Sequence, residues 1–200
     1  MKLLLPFVIL FLVWFTYELK KHDHSRKDNS ESFWEHEQKA NLTRRKNIDN
    51  LNYITIPIDS LPFFEINDSQ ITDYQQRIHA LADRKILNLT GMTNTDLKME
   101  YGTANLNHLT EYDDNYADLV SILNKWGTRL ISLDYEKEGI QVLEFAIDCQ
   151  TDVTTTYYAL ADYYERTNQS ERIHDLIKTA ESLNSITQKS IIENLQSRSA

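Results

Sequence analysis

Glycine and proline are scarce in this chain of 200 residues, which holds four of the one and three of the other. An all-β fold built on frequent tight turns needs more of both, so the scarcity favours helices. Cysteine occurs once, as Cys149, which excludes an intrachain disulfide and any zinc site made from several thiolates. Its place near the end of an apolar helical stretch predicts a small buried side chain rather than a nucleophile. Basic residues are also short: from Leu51 onward 12 of them face 23 acidic ones. Such a balance lacks the electrostatic footprint that drives phosphate binding, so nucleic acid is not an expected partner.

The common signatures of catalysis are missing as well. There is no glycine-rich phosphate loop, no Gly-x-Ser-x-Gly elbow and no CxxC pair. His36-Glu37 opens like a metalloprotease helix, but Ala40 stands where the second histidine ligand belongs, one turn on. His22 and His24 flank Asp23 in a polar stretch that solvation explains without a metal. His79, His108 and His174 are scattered, and the carboxylates of Asp113 and Asp114 are expected to cap a helix. The sequence therefore implies no enzyme, no cofactor and no metal.

What the chain does contain is a self-similarity with a period of 34 residues. Leu123, Trp126, Gly127, Leu130, Leu143 and Ala146 return in kind as Tyr157, Leu160, Ala161, Tyr164, Ile177 and Ala180. A large, large, small, large series followed by a large and a small residue is the packing pattern of a two-helix unit. The small residue lets the sister helix approach, and the large ones fill the space around it. From Ser121 to Ser185 the period and pattern resemble the tetratricopeptide repeat, a helix-turn-helix module used mainly to bind other proteins. The match has gaps: Gly139 has Ile173 as its counterpart, and no proline closes either unit. An irregular bundle of antiparallel helices is the alternative. Two units fall short of the roughly three that stand alone, so both ends need caps; a last helix with Ile191, Ile192 and Leu195 on one side suits one of them.

The resemblance implies a groove on the side of each first helix that faces away from its sister. That side carries Asn124 and Thr128, then Tyr158, Asp162, Glu165 and Arg166, a surface suited to a polar or basic peptide. A solvated helix face is the bland reading of the same residues.

Leu3 to Tyr17 is an uncharged apolar run with Trp14 and Tyr17 toward its end, and Met1 and Leu19 extend it toward the length of a bilayer span. A cleaved export signal is the rival, but no small-x-small triplet follows the run. Lys20, Lys21, Arg26 and Lys27 on its C-terminal flank outnumber Lys2 and the amino terminus, so the expected orientation leaves the C-terminal part in the cytoplasm. Next, Phe33, Trp34, Ala40 and Leu42 give a short helix only a ragged apolar side. Either Phe33 and Trp34 dock on their own domain, or they touch lipid headgroups while Arg44, Arg45 and Lys46 meet anionic lipid. Tyr53 to Phe64 alternates and is β-branched, so it predicts an extended segment that buries its isoleucines against helices, or else an open edge for a partner strand. Helices resume at Asp68, again with Asn94 or Thr95 as cap, and a polar connection is expected from Asn105 to Glu111. Phe33-Trp34-Glu35, Asn52 to Pro57 and Asn94 to Lys98 also look similar to small membrane-anchored bacterial proteins, which implies a bacterial membrane setting and no more.

The expected fold is all-α, with an N-terminal transmembrane helix and a small tetratricopeptide-like stack of helical hairpins that includes one extended segment. The expected divisions are an anchor at 1–19, a juxtamembrane linker and short helix at 20–50, an extended segment and N-terminal helices at 51–112, and repeats with a capping helix at 113–200. The expected role is a membrane-tethered adaptor or scaffold for an unidentified protein or peptide. An exported component of the cell envelope, or an enzyme without a recognisable motif, is the alternative.

Overall fold

A computed structural model of the chain describes residues 10–12, 14–18 and 34–198. Among them there is no strand, and the fold is all-α. Most of the expected membrane anchor, together with His22, Asp23, His24 and Phe33, lies outside the described residues. Residues 10–12 and 14–18 are helical, and no helix among the described residues is long and apolar enough to cross a membrane.

The remaining helices are α1 (34–41), α2 (Ser69–Ala82), α3 (Asn94–Tyr101), α4 (Leu106–Ser132), α5 (Glu136–Asp148), α6 (Thr154–Arg166), α7 (Ser170–Glu181) and α8 (Gln188–Arg198). They belong to two compact units. The smaller comprises Met1–Lys46 and Thr93–Leu106, the larger Asn47–Met92 and Asn107–Ala200. Thus α3 groups with the N-terminal segment, whereas the extended segment and α2 group with the hairpins.

In the larger unit α4 to α7 form successive helix hairpins, an arrangement compatible with a helical repeat. Eleven of the twelve positions that recur at the 34-residue period are buried, and Ile177 is half-buried. The turns recur too. Asp134 and Asn168, 34 positions apart, both hold left-handed backbone at φ 66° and 55°. After each, the next amide reaches back five residues, Tyr135 to the Leu130 carbonyl at 3.0 Å and Gln169 to the Tyr164 carbonyl at 2.8 Å. Aspartate and asparagine tolerate this region better than other side chains, so the helix-ending motif forms without glycine. Gln150 ends α5 in the same way at φ 57°, with Thr151 bonded to the Ala146 carbonyl at 3.1 Å.

Two hydrophobic clusters run through this unit, and together they supply the caps that a two-hairpin stack needs. In the first, Ile56 and Leu61 of the extended segment and Ile71, Ile78 and Leu81 of α2 pack with Leu119, Leu123, Trp126 and Leu130 of α4. The segment thus buries isoleucine as expected, with Ile54 and Ile58 half-buried beside Ile56. In the second, Ile191 and Leu195 of α8 close on Tyr157, Leu160, Ala161 and Leu176. Asp68 caps α2, its Oδ1 accepting from the Gln70 and Ile71 amides at 3.0 Å each.

The structure corrects three local expectations. The segment from Asn105 to Glu111 is no polar connection, because α4 begins at Leu106 and buries Leu109. Asp113 and Asp114 therefore lie within α4 and cap nothing; Asp113 instead accepts the Leu89 amide at 3.0 Å. The cap of α3 is Thr93 rather than Asn94 or Thr95, since Asp96 three residues on returns a bond to the Thr93 amide and completes a reciprocal capping box.

The smaller unit is held by polar clips. Glu37 of α1 accepts from Thr95 Oγ1 at 2.7 Å and from the Lys98 ammonium of α3. Thr103 Oγ1 donates to the Ala40 carbonyl at 3.1 Å. Asn105, fully buried, donates to the Lys46 and Tyr101 carbonyls at 2.8 and 2.7 Å and accepts from Arg45 Nε at 3.1 Å. Both donors of its amide and one of its two acceptor sites are then used, so no polar atom of this buried side chain lacks a partner. Gly102 stands at φ 88°, where a Cβ would collide with the Arg44 carbonyl.

Candidate functional site

The face predicted to bind a partner is built on α4, α6 and α8 of the larger unit, joined by two polar seams. Between α4 and α6, Asn124 Oδ1 accepts from Thr155 Oγ1 at 3.0 Å and Thr156 Oγ1 at 3.1 Å. Thr128 turns its hydroxyl back to the Asn124 carbonyl at 2.7 Å. Between α6 and α8, the Tyr158 hydroxyl lies 3.3 Å from Ser190 Oγ and 3.4 Å from the Ser190 carbonyl. The Arg198 guanidinium bonds Asp162 and stands 3.6 Å from Glu165, and its Nε donates to Asn194 Oδ1 at 3.0 Å.

Four of the six predicted residues thus divide between two jobs. Asn124 ties α4 to α6, Thr128 bonds within α4, and both are half-buried. Asp162 and Glu165 keep most of their side chains in solvent, 61% and 59%, although Arg198 pairs with both. Tyr158 lies beside them on the same helix, half-buried. Arg166 pairs with Glu136 at the start of α5 and is also acted on by Asp162. Sequence reasoning missed Arg198, because a basic residue near a chain end carries no periodic signal. Its opposition to two carboxylates one turn apart arises only when α8 lies beside α6.

A second polar cluster sits where α5, α6 and α7 meet, around a cavity of about 150 Å³. Glu144 accepts from the Tyr164 hydroxyl at 2.6 Å and from Arg172 at 2.5 Å, and the Arg172 guanidinium stands 5.4 Å from the Tyr164 ring centre. Burial, and then the Glu144 carboxylate, push Asp148 above the usual aspartate range. Burial also holds the Tyr164 phenol well above its ordinary value, so this phenol donates a hydrogen bond and does not ionise near neutral pH.

An open cleft of about 650 Å³ runs between the extended segment and α2, lined by Phe63, Phe64, Ile66, Gln75 and His79 among others. Phe63 lies between His79 and Trp126, with ring centres 4.3 and 5.1 Å away. The Trp126 indole N–H is buried without a hydrogen-bond partner.

Cys149 is buried, and burial pushes its thiol up to about 12. That is the behaviour of a packing residue, because a nucleophilic cysteine needs its thiolate. Glu37, the acidic partner in the His36-Glu37 motif, is committed to Thr95 and Lys98, and both clips hold its carboxyl below the usual range. Among the described residues no group of three histidine, cysteine or carboxylate side chains is placed to hold a metal.

No family model, no curated protein and no solved structure matches this chain.

Proposed function

We propose that the protein is a membrane-tethered, non-catalytic scaffold whose tetratricopeptide-like stack captures a polar or basic segment of another protein. The observation that carries this reading is the pair of carboxylates, Asp162 and Glu165, beside Tyr158 on α6, which stay mostly exposed although Arg198 pairs with both. A lysine or arginine of a partner would take the unsatisfied share of that charge, while the tyrosine ring supplies contact area at low entropic cost. The six residues of the binding face remain Asn124, Thr128, Tyr158, Asp162, Glu165 and Arg166. Asn124 ties α4 to α6 and Thr128 bonds within α4; Tyr158, Asp162 and Glu165 meet the partner, and Arg166, paired with Glu136, borders them.

Tethering is supported by Leu10, Phe11, Leu12, Trp14, Phe15 and Tyr17, which belong to helical residues and are all exposed. A helix of this composition in water leaves a large apolar surface uncovered, and a bilayer is one environment that removes the cost. The basic flank from Lys20 to Lys27 favours a cytoplasmic C-terminal part.

The experiment is a comparison of proteins that copurify with the full chain and with a Tyr158→Ala, Asp162→Ala, Glu165→Ala variant of unchanged circular dichroism. A partner held by the wild type and lost by the variant supports the reading, and identical sets refute it. A reporter fused after Ala200 tests the orientation: activity of an export-dependent reporter would place the stack outside the cytoplasm.

A further inference from the structure

The smaller unit leaves three apolar side chains in solvent: Trp34 is 65% exposed, Leu42 80% and Met99 39%. On α1 the residues opposite the fully buried Ala40 are Trp34 and Gln38, and Leu42 in the turn just after the helix continues the same four-residue spacing on that side. The other side is committed to α3 through the Glu37 clip. The turn that follows carries Arg44, Arg45 and Lys46, all exposed, with Lys39 one turn before them.

Charge separates the two units in the same sense. Met1–Lys46 with Thr93–Leu106 holds ten basic and eight acidic residues, whereas the rest of the chain holds 11 and 22. An anionic surface therefore attracts the smaller unit and repels the larger. Of the two carboxylates on α1, Glu37 is already neutralised by Lys98, which leaves Glu35 against four cations.

We infer that the smaller unit docks on an anionic lipid surface, with Trp34 and Leu42 entering the headgroup region and Lys39, Arg44 and Lys46 pairing with lipid phosphates. An aromatic and a leucine beside a basic run are the two components such contact needs: apolar area for the boundary and positive charge for the headgroups. The inference goes beyond the tether and does not depend on it, because the contact uses residues that follow the apolar run.

The test places a nitroxide at position 41 through Asn41→Cys in the full chain, where Cys149 is buried and escapes the label. Collision with oxygen against a water-soluble nickel chelate reports immersion. In vesicles of phosphatidylcholine mixed with phosphatidylglycerol the label should be shielded from the chelate, and in pure phosphatidylcholine or at high salt it should be water-exposed. Arg44→Gln with Lys46→Gln should lower the docked-to-undocked ratio roughly 25-fold, since each basic residue at such a surface contributes about fivefold. These two are chosen because their side chains make none of the clips that hold the unit, unlike Arg45. Trp34→Ser with Leu42→Ser should abolish shielding while flotation with the vesicles, if the apolar run inserts, persists. A chain that fails to float with neutral vesicles yet shields its label on anionic ones removes the tether and keeps this contact. Shielding equal in neutral and anionic vesicles, shielding in neither, or no effect of the charge variant would overturn it.

Discussion

Gly127 of α4 and Gly139 of α5 face each other at backbone contact: a Cβ on Gly139 would stand 2.7 Å from the Gly127 carbonyl oxygen, and one on Gly127 would stand 3.0 Å from the Gly139 carbonyl. Side chains crowd both sites as well, since Leu143 Cδ2 would stand 2.6 Å from a Cβ at Gly127 and Ile131 Cγ1 2.6 Å from one at Gly139. Admitting a methyl group therefore requires these side chains to shift and the helices to part. The second hairpin solves the same problem differently. It places Ala161 and Ile173 at the equivalent positions, and both are buried.

Gly139→Ala should therefore destabilise the protein. Alanine gains roughly 1 kcal/mol over glycine in a helix interior, but overpacking against a rigid backbone costs about 1–3 kcal/mol. Urea unfolding of the two proteins measures the net effect. A variant more stable than the parent would mean that α4 and α5 separate at little cost.

Ala161 and Asp162 are neighbours in sequence with opposite surroundings. Ala161 is fully buried, whereas Asp162 is exposed. Ala161→Leu should cost about 1–3 kcal/mol through inserted methylenes. Asp162→Ala loses one exposed ion pair to Arg198 and should change stability by no more than about 0.5 kcal/mol. Equal losses in thermal or urea denaturation would contradict the assigned helix rotation.

Acid should act through carboxylates of opposite sense. The Arg129 guanidinium and then the helix amides hold Asp68 below the usual aspartate range. Its stabilisation is therefore present above the unfolded-state value, about 3.9, and is lost as pH falls through the lower folded value. Burial raises Asp113, so its ionisation works against folding as pH climbs through the raised folded value. Asp113→Asn keeps an oxygen for the Leu89 amide and removes the charge. It should raise Tm at neutral pH, and the gain should vanish below the unfolded aspartate value. A gain that persists unchanged in acid would have another origin.

Cys149 should resist alkylation at neutral pH until the chain unfolds, because burial pushes its thiol to about 12. Labelling with a neutral haloacetamide across a urea series should follow the unfolding transition. Rapid labelling of the native protein would show that the first hydrophobic cluster opens locally.

The hairpins were legible because each buried position recurs at one chemical spacing: the large residues from Leu123 to Tyr164 and the small Gly127, Ala146, Ala161 and Ala180 serve contacts within a hairpin or between adjacent ones. The candidate face was legible only in part. Asp162, Glu165 and Tyr158 follow from helical phase, but their seam with α8 depends on how the last helix lies. The start of α4 was misread because only Leu109 of its first two turns is fully buried, Leu106 and Tyr112 being half-buried amid polar residues, so the apolar period there is weak.

By itself the sequence determined an all-α chain, the 34-residue packing pattern, the cap at Asp68 and the acidity of everything after the first fifty residues, since these follow from composition and from contacts close along the chain. Only the tertiary structure decided that α3 joins the N-terminal segment through Glu37 and Asn105, that α2 and the extended segment close one end of the hairpins while α8 closes the other, and that Trp34 faces solvent. Those outcomes rest on pairings 58 to 61 residues apart, such as Thr95 with Glu37, Asn105 with Lys46 and Arg129 with Asp68. Local preference cannot choose among partners at that distance, because each polar group has many acceptable mates and only the packing of apolar faces brings one of them within reach.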